Sequence, residues 1–584
     1  MHIGSFKLFK YLRKKDWLYI FISLCFIVCQ VWLDLKIPDY MSEITRLIQT
    51  PDSALGDVLV VGMKMLGCAL LSMAATFIVG YFVAVVAAGL SRRLREAVYD
   101  KVISFSMEEM GRFSTASLIT RSTNDISQVQ MVIAIGLQAS VKAPIMAAWA
   151  ITKIINKNLA WSAATGVAVA FLLVLITILF VLVVPGFRKI QSLTDNINRV
   201  ARENLSGVRV VRAYNAEKYQ EDKFAKANEE LTSVNLFTQK MMAIMMPSMT
   251  LISSGLTLSI YWIGVYLIDK AELTEKIGLF SDMIVFSSYA MQVIMSFMML
   301  TFTFIILPRA IVSSKRINEV LETKNRIMDG EGCENTTETG TVEFRNVSFH
   351  YPDAADDMIS DISFKANKGE MVAFIGATGS GKTTLINLIP RFYDATGGEV
   401  LVDGVNVKKY KLSELRKKIG YAPQKALLFS GTIESNVSYG ADTPDSERLN
   451  EALEISQAKE FVEKLTDNVK SKISQGAVNV SGGQKQRLSI ARSLYNKPEI
   501  LIFDDSFSAL DYRTDKILRK ELRERSKGST SLIVAQRIGT IMEADLIIVL
   551  EEGRVVGQGK HKELLKSCPI YKEIAMSQLS EEEL

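Results

Sequence analysis

Eight consecutive residues in the second half of the chain have the spacing of a phosphate-binding loop. The run Gly376-Ala377-Thr378-Gly379-Ser380-Gly381-Lys382-Thr383 follows apolar residues 371–375, which predict a buried strand, and Thr384 opens a predicted helix. In that context the glycines let backbone N–H groups surround phosphate oxygens, Lys382 reaches the outer phosphates and Thr383 offers a hydroxyl to Mg2+. The run and Thr384 therefore predict a site for a nucleotide with magnesium.

A second apolar run predicts another buried strand, and its end carries two acids. Residues 500–503 are Ile, Leu, Ile and Phe, and Asp504 and Asp505 follow them. Ligands of open α/β sheets bind outside the carboxyl ends of the strands, so these carboxylates are expected to face the phosphates. Asp504 is predicted to lie on the magnesium side.

The elements that position this chemistry occupy only part of the chain, which at 584 residues exceeds the size of one core. Segments of roughly 20 apolar residues predict six membrane-spanning helices: 17–38, 57–90, 131–154, 158–185, 241–268 and 279–308. The charged stretches around 90–130 and 186–240 keep helical spacing, so helices are expected to extend beyond the bilayer. We predict an all-α transmembrane domain over 1–320, a linker over 321–338 and an α/β nucleotide-binding domain over 339–584.

The basic residues lie between the apolar segments and indicate how the chain crosses the membrane. They concentrate at the N-terminus, at 92–95, at 188–212 and at 309–316, and the positive-inside rule assigns those stretches to the cytosolic side. We therefore expect a multi-pass protein of a bacterial plasma membrane, with both termini and the nucleotide-binding domain in the cytosol. The net charge of +5 is small and dispersed, so the lipid bilayer is an expected partner and nucleic acid is not.

Three charged residues fall within or near the predicted spans: Asp34, Lys64 and Lys142. Charges in a membrane usually face protein or a water-filled cavity, because exposure to lipid costs ~2.5 to 3.5 kcal/mol. For Lys142 two interpretations are equally open: that it lines a substrate cavity, or that it snorkels to the interface or forms a structural pair. Asp34 and Lys64 are interpreted as residues near an interface. Methionines concentrate in the fifth and sixth spans, which weakly favours a cavity for varied apolar ligands.

Between the two predicted strands lies the run Val480-Ser481-Gly482-Gly483-Gln484, followed by KQRLSIAR at 485–492. This run resembles the signature motif of ATP-binding cassette proteins, and six preceding spans resemble the half-size exporters of that superfamily. Two further runs are similar to the cytosolic loop motifs of those exporters: LITRSTND at 118–125 and ENLSGVRVVRAY at 203–214. The resemblance covers essentially the whole chain and implies an ATPase coupled to transport, with ATP and Mg2+ as cofactors.

The resemblance also implies roles for single residues. Tyr351, in FHYP at 349–352, matches the aromatic that stacks on adenine, and Gln424, in YAPQ at 421–424, matches a glutamine at the metal site. Asp511, in SALD at 508–511, matches the loop that crosses to the opposite subunit. Family cassettes pack head to tail in a dimer, so the partner's ATP is expected to meet Ser481, Gly482, Gly483 and Gln484.

At two positions the chain departs from the family's pattern. The residue after the magnesium-side carboxylate is usually the glutamate that activates water, but here it is Asp505, one methylene shorter. The position of the histidine that contacts the outer phosphate holds Gln536, and glutamine cannot carry a positive charge. A positioned general base contributes ~10² to 10⁴ in rate, so the two substitutions predict a site that binds ATP and hydrolyses it slowly.

By resemblance to the asymmetric exporters of this family, a slow site with an intact signature motif implies a heterodimer, in which a second half-transporter supplies the fast phosphate loop. A homodimer is the less favoured alternative. The expected mechanism is alternating access, with candidate coupling contacts near 111–120 and 207–217. We expect export of drugs or other small amphipathic molecules. Export of lipid, peptide or haem-like cargo stays open, and so do uptake and a channel-like or regulatory protein gated by ATP.

Overall fold

In the computed structural model the chain divides into two compact units. The first contains Met1–Ile103 and Thr115–Thr323, and the second contains Ser104–Ser114 and Lys324–Leu584. The structure describes residues 3–50, 54–155, 158–333, 336, 338–352, 354–525 and 528–579. Within the predicted linker, positions 334, 335 and 337 lie outside the described residues.

The first unit is helical. In the described residues ten α-helices precede the sheets, and all but the third belong to this unit. A 3₁₀ helix, Ile3–Tyr11, comes first, and a π-helical turn, Val132–Gly136, separates the fifth α-helix from the sixth. The helices are α1 Lys14–Gln49, α2 Leu55–Ile103, α3 Met107–Arg112, α4 Thr115–Ser122, α5 Asn124–Met131, α6 Leu137–Ile155, α7 Leu159–Ser206, α8 Val208–Ala213, α9 Glu217–Lys270 and α10 Leu273–Glu322.

Within the described residues, six helical segments are long and apolar enough to cross a membrane. This confirms the six predicted helices. The helices also continue past the apolar segments, since α2 reaches Ile103, α7 reaches Ser206 and α9 already begins at Glu217. On which side of a membrane these extensions lie stays a prediction.

An aromatic cluster packs the membrane helices together. Trp161 of α7 and Phe286 of α10 are buried, with ring centroids 5.4 Å apart. The indole N–H of Trp161 donates to the carbonyl of Ile260 in α9 at 3.0 Å, so the polar atom of this buried ring is satisfied. Residues of α7, α9 and α10 thereby share one core.

The second unit alternates strands and helices after the segment that contains α3. Its elements are β1 Val342–Phe349, β2 Ile359–Ala366, β3 Met371–Gly376, α11 Lys382–Asn387, β4 Gly397–Val402, β5 Val405–Asn406, α12 Leu412–Lys417, β6 Ile419–Ala422, β7 Gly431–Thr432, α13 Ile433–Val437, α14 Ser446–Ile455, α15 Lys459–Glu463, β8 Lys472–Ile473, α16 Gly482–Tyr495, β9 Ile500–Asp504, α17 Tyr512–Arg525, β10 Thr530–Val534, α18 Ile538–Ile541, β11 Leu546–Glu551, β12 Arg554–Gly559, α19 His561–Ser567 and α20 Pro569–Met576.

A six-stranded sheet with the order β12-β11-β3-β10-β9-β6 forms the centre of this unit. All neighbours pair in parallel except β11 and β12. Strands β9 and β10 are buried along their whole length, as strands covered on both faces must be. Because parallel strands end at one edge of a sheet, the chain segments after β3, β6, β9 and β10 meet there. A second, antiparallel sheet has the order β2-β1-β4-β5.

Residues 104–114 belong to the second unit although the helices on either side of them belong to the first. The carboxylate of Glu109, which is buried, accepts hydrogen bonds from the backbone N–H of Ser106 at 2.9 Å and of Arg326 at 3.1 Å. Asn325 donates to the carbonyl of Ser104 at 2.6 Å. The segment is therefore attached to the chain that leaves α10.

Candidate nucleotide-binding site

Two glycines of the phosphate loop are required by close backbone approaches. Gly376 has φ +155°, and a Cβ there would lie 2.0 Å from the carbonyl oxygen of Leu550. Gly381 has φ +92°, and a Cβ there would lie 2.6 Å from a methyl carbon of Ile359. The loop between β3 and α11 can follow this path only without side chains at both positions.

The side chain of Lys382 is folded into the loop. Its ammonium group donates to the carbonyls of Gly376 at 2.8 Å and Ala377 at 2.7 Å, and lies 3.3 Å from the hydroxyl of Ser380. Burial lowers the pKa of Lys382, and the charges of Asp505 and Asp504 oppose that shift. Asp505 and Asp504 thus offset only part of the cost of burying the Lys382 ammonium. A phosphate anion in the loop would offset more of it.

Thr383 and Asp504 connect the loop to the end of β9. The hydroxyl of Thr383 donates to Oδ1 of Asp504 at 2.9 Å. Burial raises the pKa of Asp504, with a further contribution from the charge of Asp505. A hydroxyl and a carboxylate this close provide the hard oxygen ligands that Mg2+ prefers, and Mg2+ sites commonly use one or two carboxylates together with substrate phosphates. These residues fit a magnesium ion bound with a nucleotide.

Asp505 is held by two glutamine side chains. It has φ +48°, is buried, and its backbone N–H donates to the carbonyl of Val534 at 3.0 Å. Its Oδ2 accepts from Nε2 of Gln424 at 3.2 Å and from Nε2 of Gln536 at 3.0 Å. Gln424 follows β6 and Gln536 follows β10, which are the two neighbours of β9. The strand order therefore brings the two substituted positions into direct contact.

Tyr351 lies in an aromatic cluster beside α11. Its hydroxyl is 3.0 Å from the hydroxyl of Thr384, and its ring meets Phe349 and Tyr393 edge to face, with centroids 5.0 Å and 5.4 Å away. The bond to Thr384 fixes the ring against the helix that begins with Lys382. An aromatic surface is thus available next to the phosphate loop.

The signature residues make a separate local structure. Ser481 is the N-cap of α16: its hydroxyl accepts from the N–H of Gln484 at 3.3 Å, and Oε1 of Gln484 accepts from the N–H of Ser481 at 2.9 Å. This capping box leaves Ser481 and Gly482 exposed. A Cβ on Gly483 would lie 3.3 Å from the carbonyl of Ala509. Asp511 caps the following helix by accepting from Thr514, a hydrogen bond that lowers the pKa of Asp511.

Two aromatic residues and a glutamine near the site are missing from the sequence prediction. Tyr393 contacts the ring of Tyr351, and Tyr421 hydrogen-bonds to Asn387 at 3.2 Å beside Asp504. Gln486 donates to the carbonyl of Pro423 at 3.2 Å and so links α16 to the segment that carries Gln424. Tyr421 and Gln486 lie inside the motifs that the sequence identified, whereas nothing in the local pattern marks Tyr393.

Known proteins share both halves of this architecture. Residues 20–297 match the ABC transporter transmembrane region, and residues 359–508 match the ABC transporter family. The "Uncharacterized ABC transporter ATP-binding protein Rv1273c" of Mycobacterium tuberculosis is 39% identical over 92% of this chain and 93% of its own length. The chain therefore belongs to the ABC transporter family. It contains an ABC ATP-binding domain and is an ATPase coupled to transport.

Relatives with named activities are more distant. A multidrug resistance ABC transporter ATP-binding and permease protein of Lactococcus lactis is 30% identical over 90% of this chain and 87% of its own length. An ATP-dependent lipid A-core flippase of Aromatoleum aromaticum is 31% identical over 86% of this chain and 82% of its own length. The structure of a bacterial Atm1-family ABC exporter with ATP bound superposes with a TM-score of 0.81, covering 96% of this chain and 99% of that one at 22% identity. That likeness establishes the exporter fold.

Proposed function

We propose that this chain is one subunit of an ATP-driven exporter of amphipathic molecules, and that its own phosphate loop retains ATP while a partner's site performs most of the hydrolysis. ATP would lie against Tyr351 and residues 376–384. Mg2+ would be held by Thr383, Asp504 and Gln424, where it would neutralise developing charge on the phosphates. In this proposal the ATP-binding domain faces the cytosol of a bacterium.

The contact of Asp505 with Gln424 and Gln536 is the observation that carries the proposal. Both amides donate to the same carboxylate oxygen, at 3.2 Å and 3.0 Å. A carboxylate oxygen that already accepts two amide N–H groups has little room left to accept a hydrogen bond or a proton from a water molecule. Neither glutamine can take up a proton or carry a positive charge. The arrangement suits retention of ATP better than activation of water.

The capped signature helix supports a partner. Ser481 and Gly482 are exposed at the start of α16, a helix of 14 residues whose N-terminus favours an anion. We infer that this end of α16 completes the ATP site of a second subunit, whose glutamate and histidine are intact. Such a pair would have one slow site and one fast site, and a homodimer would have two slow ones.

Restoring the two family residues tests the slow site. We expect D505E/Q536H to raise the steady-state ATPase rate of the purified chain alone by about 10² or more, because a positioned base is worth ~10² to 10⁴. K382A in the same background is the matched control and should remove the gain. An unchanged rate in D505E/Q536H would contradict the proposal that these residues limit hydrolysis.

The partner is tested by changing its predicted glutamate to glutamine. The reconstituted pair should then lose nearly all ATPase activity, although this chain's site is untouched. If the chain alone hydrolyses ATP as fast as the intact pair, the asymmetric arrangement is wrong.

The cargo is inferred from the relatives and from the transmembrane half. The named relatives move drugs and a lipid, and both cargoes are amphipathic. We propose drugs or similar amphiphiles as the substrate class, with lipid, peptide or haem-like cargo as the alternatives. Uphill export of a dye from vesicles that contain the pair is the expected result. A protein gated by ATP would fail to concentrate the dye.

A further inference from the structure

A polar cluster connects three helices of the first unit: Gln30 and Asp34 of α1, Ser72 and Thr76 of α2, and Lys142 of α6. Nε2 of Gln30 donates to the hydroxyl of Thr76 at 2.7 Å, and the hydroxyl of Ser72 donates to Oδ1 of Asp34 at 2.5 Å. The ammonium of Lys142 lies 3.1 Å from Oδ2 of Asp34. Two of the charges that the sequence places in or near the spans therefore form an ion pair.

Both hydroxyl groups of this cluster are used as donors, but one of its buried acceptors has no donor among the residues that the structure describes. The hydroxyl of Ser72 is committed to Asp34, and that of Thr76 donates to the carbonyl of Ser72 at 2.9 Å. Gln30 is only 4% exposed, and within the described residues its buried Oε1 has no hydrogen-bond partner. A buried acceptor without a donor is costly, so the cluster favours a ligand that brings N–H groups.

Irregular helix geometry adds a further acceptor. Pro38 lies inside α1 and has no N–H, so it cannot donate to the carbonyl of Asp34 one turn earlier. Pro144 lies inside α6 two residues after Lys142, and the π-helical turn Val132–Gly136 precedes α6. Interrupted helices next to charged groups commonly mark binding sites in membrane proteins.

The ion pair is only partly covered by the chain itself. The side chains of Asp34 and Lys142 keep 21% and 18% of their surface exposed. Lys142 reaches Asp34 from a different helix through a long, flexible chain, so a ligand that carries its own positive charge can replace it at the carboxylate. The freed Lys142 ammonium would then move toward water, while the neutral balance of the cluster is preserved.

We propose that the polar cluster is a binding site for the ammonium head of amphipathic amines, with Lys142 as an internal competitor for Asp34. This inference rests on the proposed export of amphiphiles and names the chemistry of the head group. An amine supplies both the charge that Asp34 requires and the N–H donors that Oε1 of Gln30 lacks. A neutral alcohol supplies no charge, and an acid would meet the carboxylate of Asp34.

The test uses equilibrium binding to the full chain, assembled with its partner in nanodiscs and free of nucleotide. Radiolabelled 4-phenylbutylamine is the probe, and 4-phenylbutanol and 4-phenylbutyrate are ligands of the same shape with different charge. We expect the amine to bind most tightly and D34N to weaken it about tenfold or more, since hydrogen bonds to charged groups are worth that much. K142M should strengthen amine binding, because the competitor is gone.

Matched variants separate binding from folding. D39N removes another carboxylate of α1 that is paired with a lysine of α6, Lys153, at 2.9 Å, and K64M removes a lysine that is exposed on α2. Both should leave amine binding within about twofold. The double variant D34N/K142M keeps the cluster neutral and should still bind the amine weakly.

Three results would overturn the site: amine binding that D34N leaves unchanged, an equal loss in D39N, or tight binding of 4-phenylbutyrate that depends on Lys142. The binding measurement needs neither ATP nor transport, so it tests the site separately from the export proposal. If export is wrong but the site is right, the protein will still bind amines selectively but will not move the dye when ATP is added.

Discussion

Asp504 and Asp505 are adjacent in the chain but have different surroundings. Asp504 accepts from the hydroxyl of Thr383 and is otherwise penalised by burial, which raises its pKa. Asp505 turns at φ +48° and accepts two amide donors. For Asp504 the cost of burial outweighs the hydrogen bond from Thr383 and the positive charge of Lys382, whereas one oxygen of Asp505 accepts two hydrogen bonds from the protein.

We predict that D504N stabilises the nucleotide-free protein. The pKa of Asp504 is raised in the folded state, so folding favours the protonated carboxyl group. The contribution of Asp504 to the stability of the folded state is therefore fully present at low pH and is lost as the pH rises through the folded pKa. At neutral pH the ionised carboxylate is a cost that asparagine avoids. We expect the thermal midpoint to rise by about 2–4 °C per ~1 kcal/mol gained.

The measurement is thermal unfolding from pH 4 to 8, with and without MgATP. The gain in D504N should shrink toward low pH, and the rise in midpoint caused by MgATP should be smaller than in the parent chain. D505N is the matched control and should give no gain, because an amide oxygen accepts the N–H groups of Gln424 and Gln536 more weakly than a charged carboxylate oxygen does. A lower nucleotide-free midpoint in D504N at pH 7 would contradict this reading.

At the scale of elements, the turn from β3 to α11 depends on close backbone contact. We predict that G376A abolishes ATP binding and lowers stability, because its Cβ would lie 2.0 Å from the backbone oxygen of Leu550. G379A is the matched control: φ is +88° there, but no atom lies within 4 Å of its Cβ. It should cost only ~1 to 2 kcal/mol of backbone strain and retain measurable ATP binding by fluorescent-nucleotide titration.

The segment that contains α3 depends on one buried carboxylate. Burial raises the pKa of Glu109, but hydrogen bonds from Ser106 and the N–H of Arg326 outweigh it, so the pKa is lowered overall. The stabilisation is therefore present above the ordinary pKa of glutamate and lost as the pH falls through the lower folded value.

We predict that E109A loosens residues 104–114 by about 1–3 kcal/mol, because the donors of Ser106 and Arg326 lose their acceptor. Hydrogen–deuterium exchange of this segment is the measurement. E108A is the matched control. Glu108 forms an ion pair with Arg326 at 2.6 Å, and the side chain of Arg326 is largely exposed. Exposed ion pairs contribute only ~0 to 1 kcal/mol. Equal exchange in both variants would show that Glu109 does not hold the segment.

At the scale of the whole molecule, the proposed dimer assigns the two ends of the site to different chains. We predict that S481A in this chain lowers the ATPase rate of the pair about tenfold or more, since a donor to the developing phosphate charge is lost. ATP binding to this chain's own phosphate loop should be unchanged. S493A, in the same helix, is the control and should retain the rate of the parent pair. If S493A lowers the ATPase rate of the pair as much as S481A does, the loss in S481A reflects the stability of α16 and not a contact with ATP.

Local sequence determined the helices and the phosphate loop. Length and apolar composition define a membrane helix by themselves, because every backbone polar group must bond within the segment. The run from Gly376 to Thr383 likewise carries its own backbone geometry, and Asp504 is the last residue of its strand. Such features involve residues that are neighbours in the chain, so their spacing was sufficient to predict them.

Tertiary structure alone decided which distant side chains meet. Gln424 and Gln536 both reach Asp505 because β6 and β10 flank β9, an order that depends on how the whole sheet assembles. Residues 104–114 join the second unit through contacts with residues 325 and 326, and Asp34 meets Lys142 through the packing of α1 against α6. Substitutions at 505 and 536 were visible in the sequence, but their shared hydrogen bonds arise only when three strands lie side by side.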